Sequence, residues 1–492
     1  MARRATWLWL LLIAAGASAQ PIVMDGQFDD WCEAGMLHDD RGDVPTTGTL
    51  DLGRLWAAHD REHLHLLLET GRETLMQDAE SPIGNRISLF LDVDGSAETG
   101  LRRDGLGVDV QIAFGEKIVT RHGPDGQTTQ TTLNDVGLIM MPTHSSDTFE
   151  YQIALGGIGP YADLATLPDP PLIRFFLQDL TTGDRLPNEG SIEYLLPAPE
   201  GEEVHEPIAL ERMAPSDIRL LVHNVLKSNI VKNPEPFARY LRALRPDLIC
   251  FQELEEWTVA QAVAFVTGVL PPGEGQQWHG AQQADVVTLS RWAPAQQAVV
   301  DENLICRFDV PTTGGAVRGL VLFNMHTPCC AFYEARQREH DRAIAAWRDI
   351  LTGSPEALIA GNPDDAVILC GDFNMVGYAR ELYAVRDGDI FDNERFGGDF
   401  APGRAHGSLV SAPLRHTHSP QTYTWRWDPS EFGPGKLDYV LFSDDALKLK
   451  RNFTLWTPEM PAEALAAAGL EPPDSPNASD HLVLVADFEV RE

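Results

Sequence analysis

The sequence predicts an α+β protein of two units in series, an all-β sandwich followed by a larger domain of mixed strands and helices, and three features carry that expectation. From Pro21 to about Leu196, apolar and polar residues alternate in short runs divided by Gly, Asp and Pro, the pattern of half-buried strands. The stretch LPAPEGEEVHEP then has little to bury and marks a linker over 197–212. Beyond it, strand-like runs are interleaved with segments whose apolar residues recur at helical spacing, so both element types share one long unit.

The elements follow in chain order. MARRATWLWLLLIAAGASAQ opens with Arg3 and Arg4, an apolar run from Trp7 to Ala15, and the small residues Ala17, Ser18 and Ala19. That is the pattern of a secretory signal peptide over 1–19, cut before Gln20, and the run is too short to span a bilayer. The mature protein is therefore expected to be secreted or periplasmic. In the sandwich, 20–196, the runs LHLLLET, RISLFLDV, VDVQIAF, FEYQIAL and LIRFFLQDL read as strands. The second unit, 213–492, begins with strand IRLLVHNV and helix EPFARYLRALRP, in which Phe237, Leu241 and Leu244 share a face and Pro246 closes the segment. Strand DLICFQEL, a helix around Trp257 to Val269, strand GLVLFNMH and helix EARQREHDRAIAAWRDIL come next. Strands AVILCGDFN, KLDYVLFS and LVLVADFEV complete the unit.

At 492 residues the chain exceeds one ordinary core. Its net charge of -35, with no Lys/Arg run, disfavours tight sequence-specific DNA binding, which draws on many basic contacts to phosphate. Gripping one phosphate through a divalent metal stays compatible with that acidity, because the ion supplies the positive charge. The six cysteines include no CxxC pair, so a structural cysteine zinc site is not expected. Cys250 and Cys370 lie in apolar strands as buried thiols. Export permits disulfides, and Cys306 with Cys329 or Cys330 is the expected pair.

Polar residues sit at the ends of the later strands: Asn224 in VHNV, Glu253 in FQEL, His326 in FNMH, Asp372 and Asn374 in GDFN, and Asp480 with His481 in SDH. Asp438, early in KLDYVLF, joins them. Singly each has an ordinary explanation, such as a helix cap, a turn residue or a satisfied core histidine. As an ordered set, with LRALRPDLICFQEL, TLSR and YTW between, they resemble the endonuclease/exonuclease/phosphatase superfamily, which includes DNase I-like nucleases, neutral sphingomyelinases and inositol polyphosphate phosphatases. The resemblance spans Arg219 to Val490. It implies a four-layer α/β/β/α sandwich with the site at the top edge of both sheets, and a metal-dependent phosphoric ester hydrolase.

Phosphoester hydrolysis needs charge neutralisation on the phosphoryl oxygens, a deprotonated water in line with the leaving group, and help for the leaving oxygen. On the resemblance, Asn224, Glu253 and Asp480 hold Mg²⁺ or Mn²⁺ through hard oxygens. Asp372 orients or deprotonates water, and Asn374 donates its amide to a phosphoryl oxygen. His481, fixed by Asp438, acts as general base or phosphate ligand, and His326 assists the leaving oxygen. Relatives acting on abasic DNA carry Tyr where this chain has His326, which turns the expectation away from DNA repair. His223 departs from the aromatic or small residue common in the family, and ADVVTLSR lacks the usual small polar pair. The phosphorylated substrate stays open among nucleic acid, phospholipid or sphingomyelin, and small metabolites, and a non-catalytic surface-binding protein is the contrasting reading.

In the first unit, IVMDGQFDDW and FLDVDGSAETG resemble carbohydrate-binding-like β-sandwich modules of exported bacterial proteins. That resemblance implies a structural or targeting accessory with contact to glycan or cell surface. Asp92, Asp94 and Glu98 form a candidate Ca²⁺ run, although an acidic turn explains it as well. It is no EF-hand, since Ala97 stands where that loop needs Gly and Arg103 where it needs Glu.

Overall fold

A computed structural model describes residues 22–44, 49–123, 125–159, 171–197, 205–403 and 407–492. Residues 1–19, expected as a signal peptide, and much of the Pro/Glu-rich stretch lie outside the described residues. Among the described residues no helix is long and apolar enough to cross a membrane.

In the first unit a five-stranded antiparallel sheet runs Gly35–Asp39, Arg54–His59, His63–Thr74, Ser146–Ala154, Ile139–Met141. It faces a second sheet centred on Ile87–Asp92, Leu172–Asp179 and Val110–Ala113. Alternation decides the packing. Leu64, Leu66 and Leu68 point between the sheets to meet Leu89, Leu91, Ile112 and Phe175, while His65 and Leu67, on intervening positions, face away.

The second unit holds two six-stranded sheets. One is ordered His279–Gln283, Val286–Ser290, Leu248–Gln252, Ile218–Asn224, Val483–Val490, Leu447–Leu455. The other is ordered Pro294–Val300, Asn303–Pro311, Val317–His326, Ala366–Asp372, Asp438–Phe442, Val410–Ser411. Inward positions, among them Leu220, Val222, Leu322, Ile368, Val440 and Leu484, make the core between the sheets. Their neighbours Leu221, Ile249 and Val485 pack outward against helices Pro234–Leu244 and Val259–Val269. On the opposite side Phe323, Leu369 and Leu441 pack against helices Tyr333–Thr352 and Arg380–Asp387. The result is the four-layer α/β/β/α sandwich preceded by an all-β unit. Strands covered on both faces explain why these runs are almost uninterruptedly apolar.

The helices start and stop where their sequences dictate. Pro234 occupies the first turn of its helix, where a missing N–H costs nothing, and Arg245 ends it in the left-handed region. Thr258 and Gln261 form a reciprocal capping box for the next helix.

Two parallel pairings position the site. Ile218–Asn224 runs beside Leu248–Gln252 with Asn224 opposite Gln252, and Val317–His326 beside Ala366–Asp372 with His326 opposite Asp372. Asp438 is also opposite Asp372, across an antiparallel pair. Parallel neighbours finish at the same edge, so their terminal polar residues share one crevice.

The units are closely joined. Met24 bridges Gln421, Thr422 Oγ1 donates to the Met24 carbonyl at 2.6 Å, and Lys436 N donates to Thr143 Oγ1 at 2.8 Å. An apolar cluster spans the seam, with Met24, Trp31, Leu67 and Met141 from one side and Tyr423, Trp456 and Leu482 from the other. Each such side chain removed from water stabilises the contact by about 1.5–3 kcal/mol. The linker's last described residues also pack on the second unit, where Ile208 N donates to the Thr417 carbonyl.

The expected disulfide does not form: all six cysteines are free. Cys306 points between the sheets beside Cys250 and Cys370, whereas Cys329 and Cys330 are exposed. Strand alternation sends Cys306 inward, out of reach of a surface loop. Cys250 and Cys370 are buried thiols, 3.6 Å apart.

Candidate active site

At the shared edge, two histidines converge on one carboxylate oxygen. His481 Nε2 lies 3.6 Å from Asp372 Oδ2, and His326 Nε2 lies 3.8 Å from the same atom. Each ring is held from behind by its own carboxylate. His481 Nδ1 is 2.9 Å from Asp438 Oδ2, and His326 Nδ1 is 2.6 Å from Asp285 Oδ2. Asp438 is in turn fixed by Thr424 Oγ1, which donates to its Oδ2 at 2.7 Å.

The electrostatics follow from this crowding of carboxylates. Burial alone would push His326 down, but the Asp285 hydrogen bond and the charges of Asp372 and Glu253 raise it to about 9. His481 is raised in the same way: Asp438 and Asp372 outweigh burial. Burial would likewise raise Asp285, yet its contact with His326 holds it below the usual carboxylate range. Both imidazoles are therefore favoured as imidazolium, poised to give a proton or to meet an anionic phosphoryl group.

Glu253 sits at φ 57°, a left-handed conformation that costs a non-glycine residue about 1–2 kcal/mol. That turn brings its carboxylate over Asn224, whose Nδ2 donates to Glu253 Oε1 at 3.0 Å and to Asp372 Oδ2 at 3.1 Å. The Asn224 oxygen accepts Leu226 N–H at 3.0 Å, so Asn224 faces the carboxylates as a donor. Asn374 Nδ2 donates to the Thr327 carbonyl at 2.9 Å, and its backbone N–H donates to Asp372 Oδ1, which leaves one amide hydrogen for a ligand. Asp480 accepts from Trp425 Nε1 at 3.0 Å.

These residues fit a hard divalent cation. Glu253 and Asp480 are half-buried, with solvent access. Among the described residues no Lys or Arg forms an ion pair with Glu253, Asp372 or Asp480. Oxygen donors without a basic partner, open to water on one side, are what Mg²⁺ coordination requires. Asp372, Asp438 and His481 form the tightest group here, their ligand atoms all within 4.8 Å. The two aspartates and the histidine are already engaged with one another.

Sequence reasoning missed Asp285, Thr424 and Trp425 as members of the site, and treated His223 only as a departure. Asp285 lies in the hairpin between His279–Gln283 and Val286–Ser290, where an Asp looks like any turn residue. Gln252 and Asn324 were also unremarked; Gln252 Nε2 donates to Asn324 Oδ1 at 2.6 Å, and Asn324 Nδ2 donates to Thr288 Oγ1 at 3.1 Å, tying the two sheets beneath the crevice. In the first unit the Ca²⁺ expectation is redrawn. Asp92 and Asp94 group with Asp109, whereas Glu98 turns away to pair with Arg102. Burial raises Asp109 to about 6, and its Oδ2 accepts Val93 N–H.

Part of the chain is similar to several solved structures. ANGEL2, a 2',3'-cyclic phosphatase, is 13% identical over 55% of this chain and 95% of its own, with TM-score 0.36. The human Nocturnin catalytic domain, solved with bound sulfate, is 15% identical over 56% and 96%, with TM-score 0.32. An AP endonuclease from Archaeoglobus fulgidus is 13% identical over 56% and 100%, with TM-score 0.34. No curated protein matches the chain in sequence. The profile of one family does match, over residues 221–481, which holds every convergent residue described above. The chain belongs to the endonuclease/exonuclease/phosphatase family and is a metal-dependent phosphoric ester hydrolase.

Proposed function

We propose that the protein is an exported, Mg²⁺- or Mn²⁺-dependent phosphoesterase that hydrolyses a phosphodiester or phosphomonoester by attack of water. One observation carries the reading: His326 and His481, each backed by its own aspartate, both bring Nε2 close to the same Asp372 oxygen. Two protonated imidazoles beside one carboxylate suit phosphoester hydrolysis, which needs charge stabilisation on the phosphoryl oxygens and a proton for the leaving oxygen.

Glu253 and Asp480 would hold the ion, which neutralises phosphoryl charge when bound. Asp372 orients the attacking water or takes its proton, and His481, kept protonated by Asp438 and Asp372, binds a phosphoryl oxygen. His326, protonated and steadied by Asp285, gives a proton to the leaving oxygen. Asn374 offers its remaining amide hydrogen to the phosphoryl group. Export rests on the Arg–apolar–small-residue pattern of residues 1–19, and mass analysis of the secreted chain should find Gln20 at its start.

A nuclease, a sphingomyelinase-like phospholipase and a small-metabolite phosphatase share this chemistry. His326, in place of Tyr, and the chain's acidity favour a substrate other than abasic DNA. The test is release of p-nitrophenol from bis- and mono-nitrophenyl phosphate with Mg²⁺, Mn²⁺ or EDTA, for wild type, Glu253→Ala and His481→Ala. A panel of DNA, RNA, sphingomyelin and inositol phosphates follows. Turnover that survives EDTA, or is absent on every member of the panel, overturns the proposal.

A further inference from the structure

A second group of ligating side chains lies outside the phosphoesterase crevice, on the sandwich sheet whose Ala58 and Leu67 pack at the seam between the two units. Asp60 occupies the turn that joins Arg54–His59 to His63–Thr74. Its Oδ1 is consumed by the turn, accepting Glu62 N–H and His63 N–H, each at 2.6 Å. Its Oδ2 accepts from no backbone group among the described residues and faces two imidazoles, His63 Nδ1 at 3.1 Å and His65 Nε2 at 3.2 Å. His63 and His65 are two apart on one strand, so their side chains leave the same face of the sheet.

We infer that Asp60, His63 and His65 form a binding site for a borderline divalent transition metal, Zn²⁺ being the best match. Bond lengths of about 2.0–2.1 Å to His nitrogen and carboxylate oxygen place neighbouring ligands of a tetrahedral zinc about 3.3–3.4 Å apart. The observed separations of 3.1 and 3.2 Å approach that edge length, and all three ligand atoms lie within 4.8 Å of one another. Two imidazoles with one carboxylate select zinc over Mg²⁺ or Ca²⁺, which prefer oxygen alone.

Among the described residues the buried His65 Nδ1 has no hydrogen-bond partner. Two other clusters in this unit differ in kind: Asp43 with Asp51 and Asp184, and Asp92 with Asp94 and Asp109, contain only carboxylates.

The position suggests what the ion does. His65 lies opposite Gln152 and Ala58 in its sheet. Gln152 accepts from Gln421 of the second unit, while Ala58 belongs to the apolar cluster that joins the units. A zinc on Asp60, His63 and His65, completed by water, stiffens the face of the sandwich that meets the second unit.

The experiment uses the full mature chain, stripped with EDTA and dialysed against Zn²⁺ in excess Mg²⁺, so that Mg²⁺ fills the phosphoesterase site. Elemental analysis, the visible spectrum after Co²⁺ replacement and thermal melting are read for wild type, His63→Ala, His65→Gln and Glu253→Ala. Wild type and Glu253→Ala should each retain one zinc and show the intense absorption of tetrahedral Co²⁺. His63→Ala should lose both, with its phosphoesterase turnover in Mg²⁺ unchanged and its melting no longer raised by zinc. His63 is partly exposed, so this variant stays informative should His65→Gln fail to fold. Retention of zinc by His63→Ala, loss of it in Glu253→Ala alone, or no retained zinc in wild type overturns the assignment.

Discussion

His223 Nε2 lies 3.1 Å from the backbone carbonyl of His481, and its Nδ1 lies 2.9 Å from the Tyr240 hydroxyl. Burial drives His223 down to about 3, so the ring is neutral, donates from Nε2 and accepts the Tyr240 O–H at Nδ1. The residue that departs from the family's usual type thus anchors the chain at a catalytic position. His223→Phe keeps a ring of similar shape but strands a buried carbonyl and a buried hydroxyl, which should cost about 1–3 kcal/mol of stability. Loosening His481 should lower kcat roughly tenfold with little change in KM or in Mg²⁺ requirement. Equal kcat in wild type and variant would remove His223 from a positioning role.

Asp285 and His326 form the counterpart of the Asp438–His481 pair, and leaving-group chemistry separates their duties. If His326 protonates the leaving oxygen, His326→Ala and Asp285→Asn should lose on the order of 10²-fold on an alkyl phosphodiester. The loss should be much smaller on a p-nitrophenyl ester, whose leaving group departs without a proton. Asp438→Asn should impair both substrates alike. A uniform loss across substrates for Asp285→Asn would assign His326 to another step.

Much of the crevice was legible because strand ends are legible: Asn224, Glu253, His326 and Asp372 each close an apolar run, and parallel pairing brings such ends to one edge. Asp285 was hidden because its partner is 41 residues away and an Asp in a hairpin already has a local explanation. Thr424 was hidden inside YTW, since only the fold shows that its hydroxyl meets Asp438. The seam was illegible for a different reason. Period-two alternation says that Leu67 faces opposite to Leu66, but not that the outward face meets Tyr423 and Leu482 of another unit.

That seam makes the sandwich part of the enzyme. Leu482 follows His481 directly and packs in the shared cluster. Thr424, which holds Asp438, lies two residues from Thr422, which donates to Met24. A chain beginning at residue 205 would expose Tyr423, Trp456 and Leu482 and lose the strap formed by Met24. It should aggregate or melt well below the full protein, with phosphoesterase turnover reduced at least tenfold. A soluble fragment with full activity would show that the crevice stands without its neighbour.

The thiols provide a check on the packing between the sheets. Cys32, Cys329 and Cys330 are exposed, and Cys250, Cys306 and Cys370 are buried. Burial also raises Cys306 to about 12, which suppresses the reactive thiolate. Titration with a thiol reagent should find the exposed thiols reacting ahead of the three buried ones in the native protein and six groups after denaturation, and reductant should leave the melting temperature unchanged. Fewer than six groups in denaturant would reveal a disulfide.

Glu150 makes the stability of the seam depend on pH. Its carboxylate lies in the first unit, where Oε1 accepts Asp25 N–H and Gly26 N–H and Oε2 accepts Trp31 Nε1–H. Burial nevertheless outweighs these hydrogen bonds and raises it from 4.5 to about 8. A carboxyl whose folded value is raised binds its proton more tightly when folded, so its contribution is complete below pH 4.5 and is lost as pH rises through 8. Across that window the slope from this one group reaches about 1.4 kcal/mol per pH unit. Glu150→Gln fixes the neutral form and removes that slope. Urea melts at intervals between pH 5 and pH 9 should therefore show wild type losing stability relative to Glu150→Gln as pH rises, with the Met24–Trp31 segment, which packs on Tyr423 and Trp456, exchanging its amide protons faster in wild type at the alkaline end. Parallel stability curves for the two proteins would mean that the three donors keep Glu150 ionised throughout.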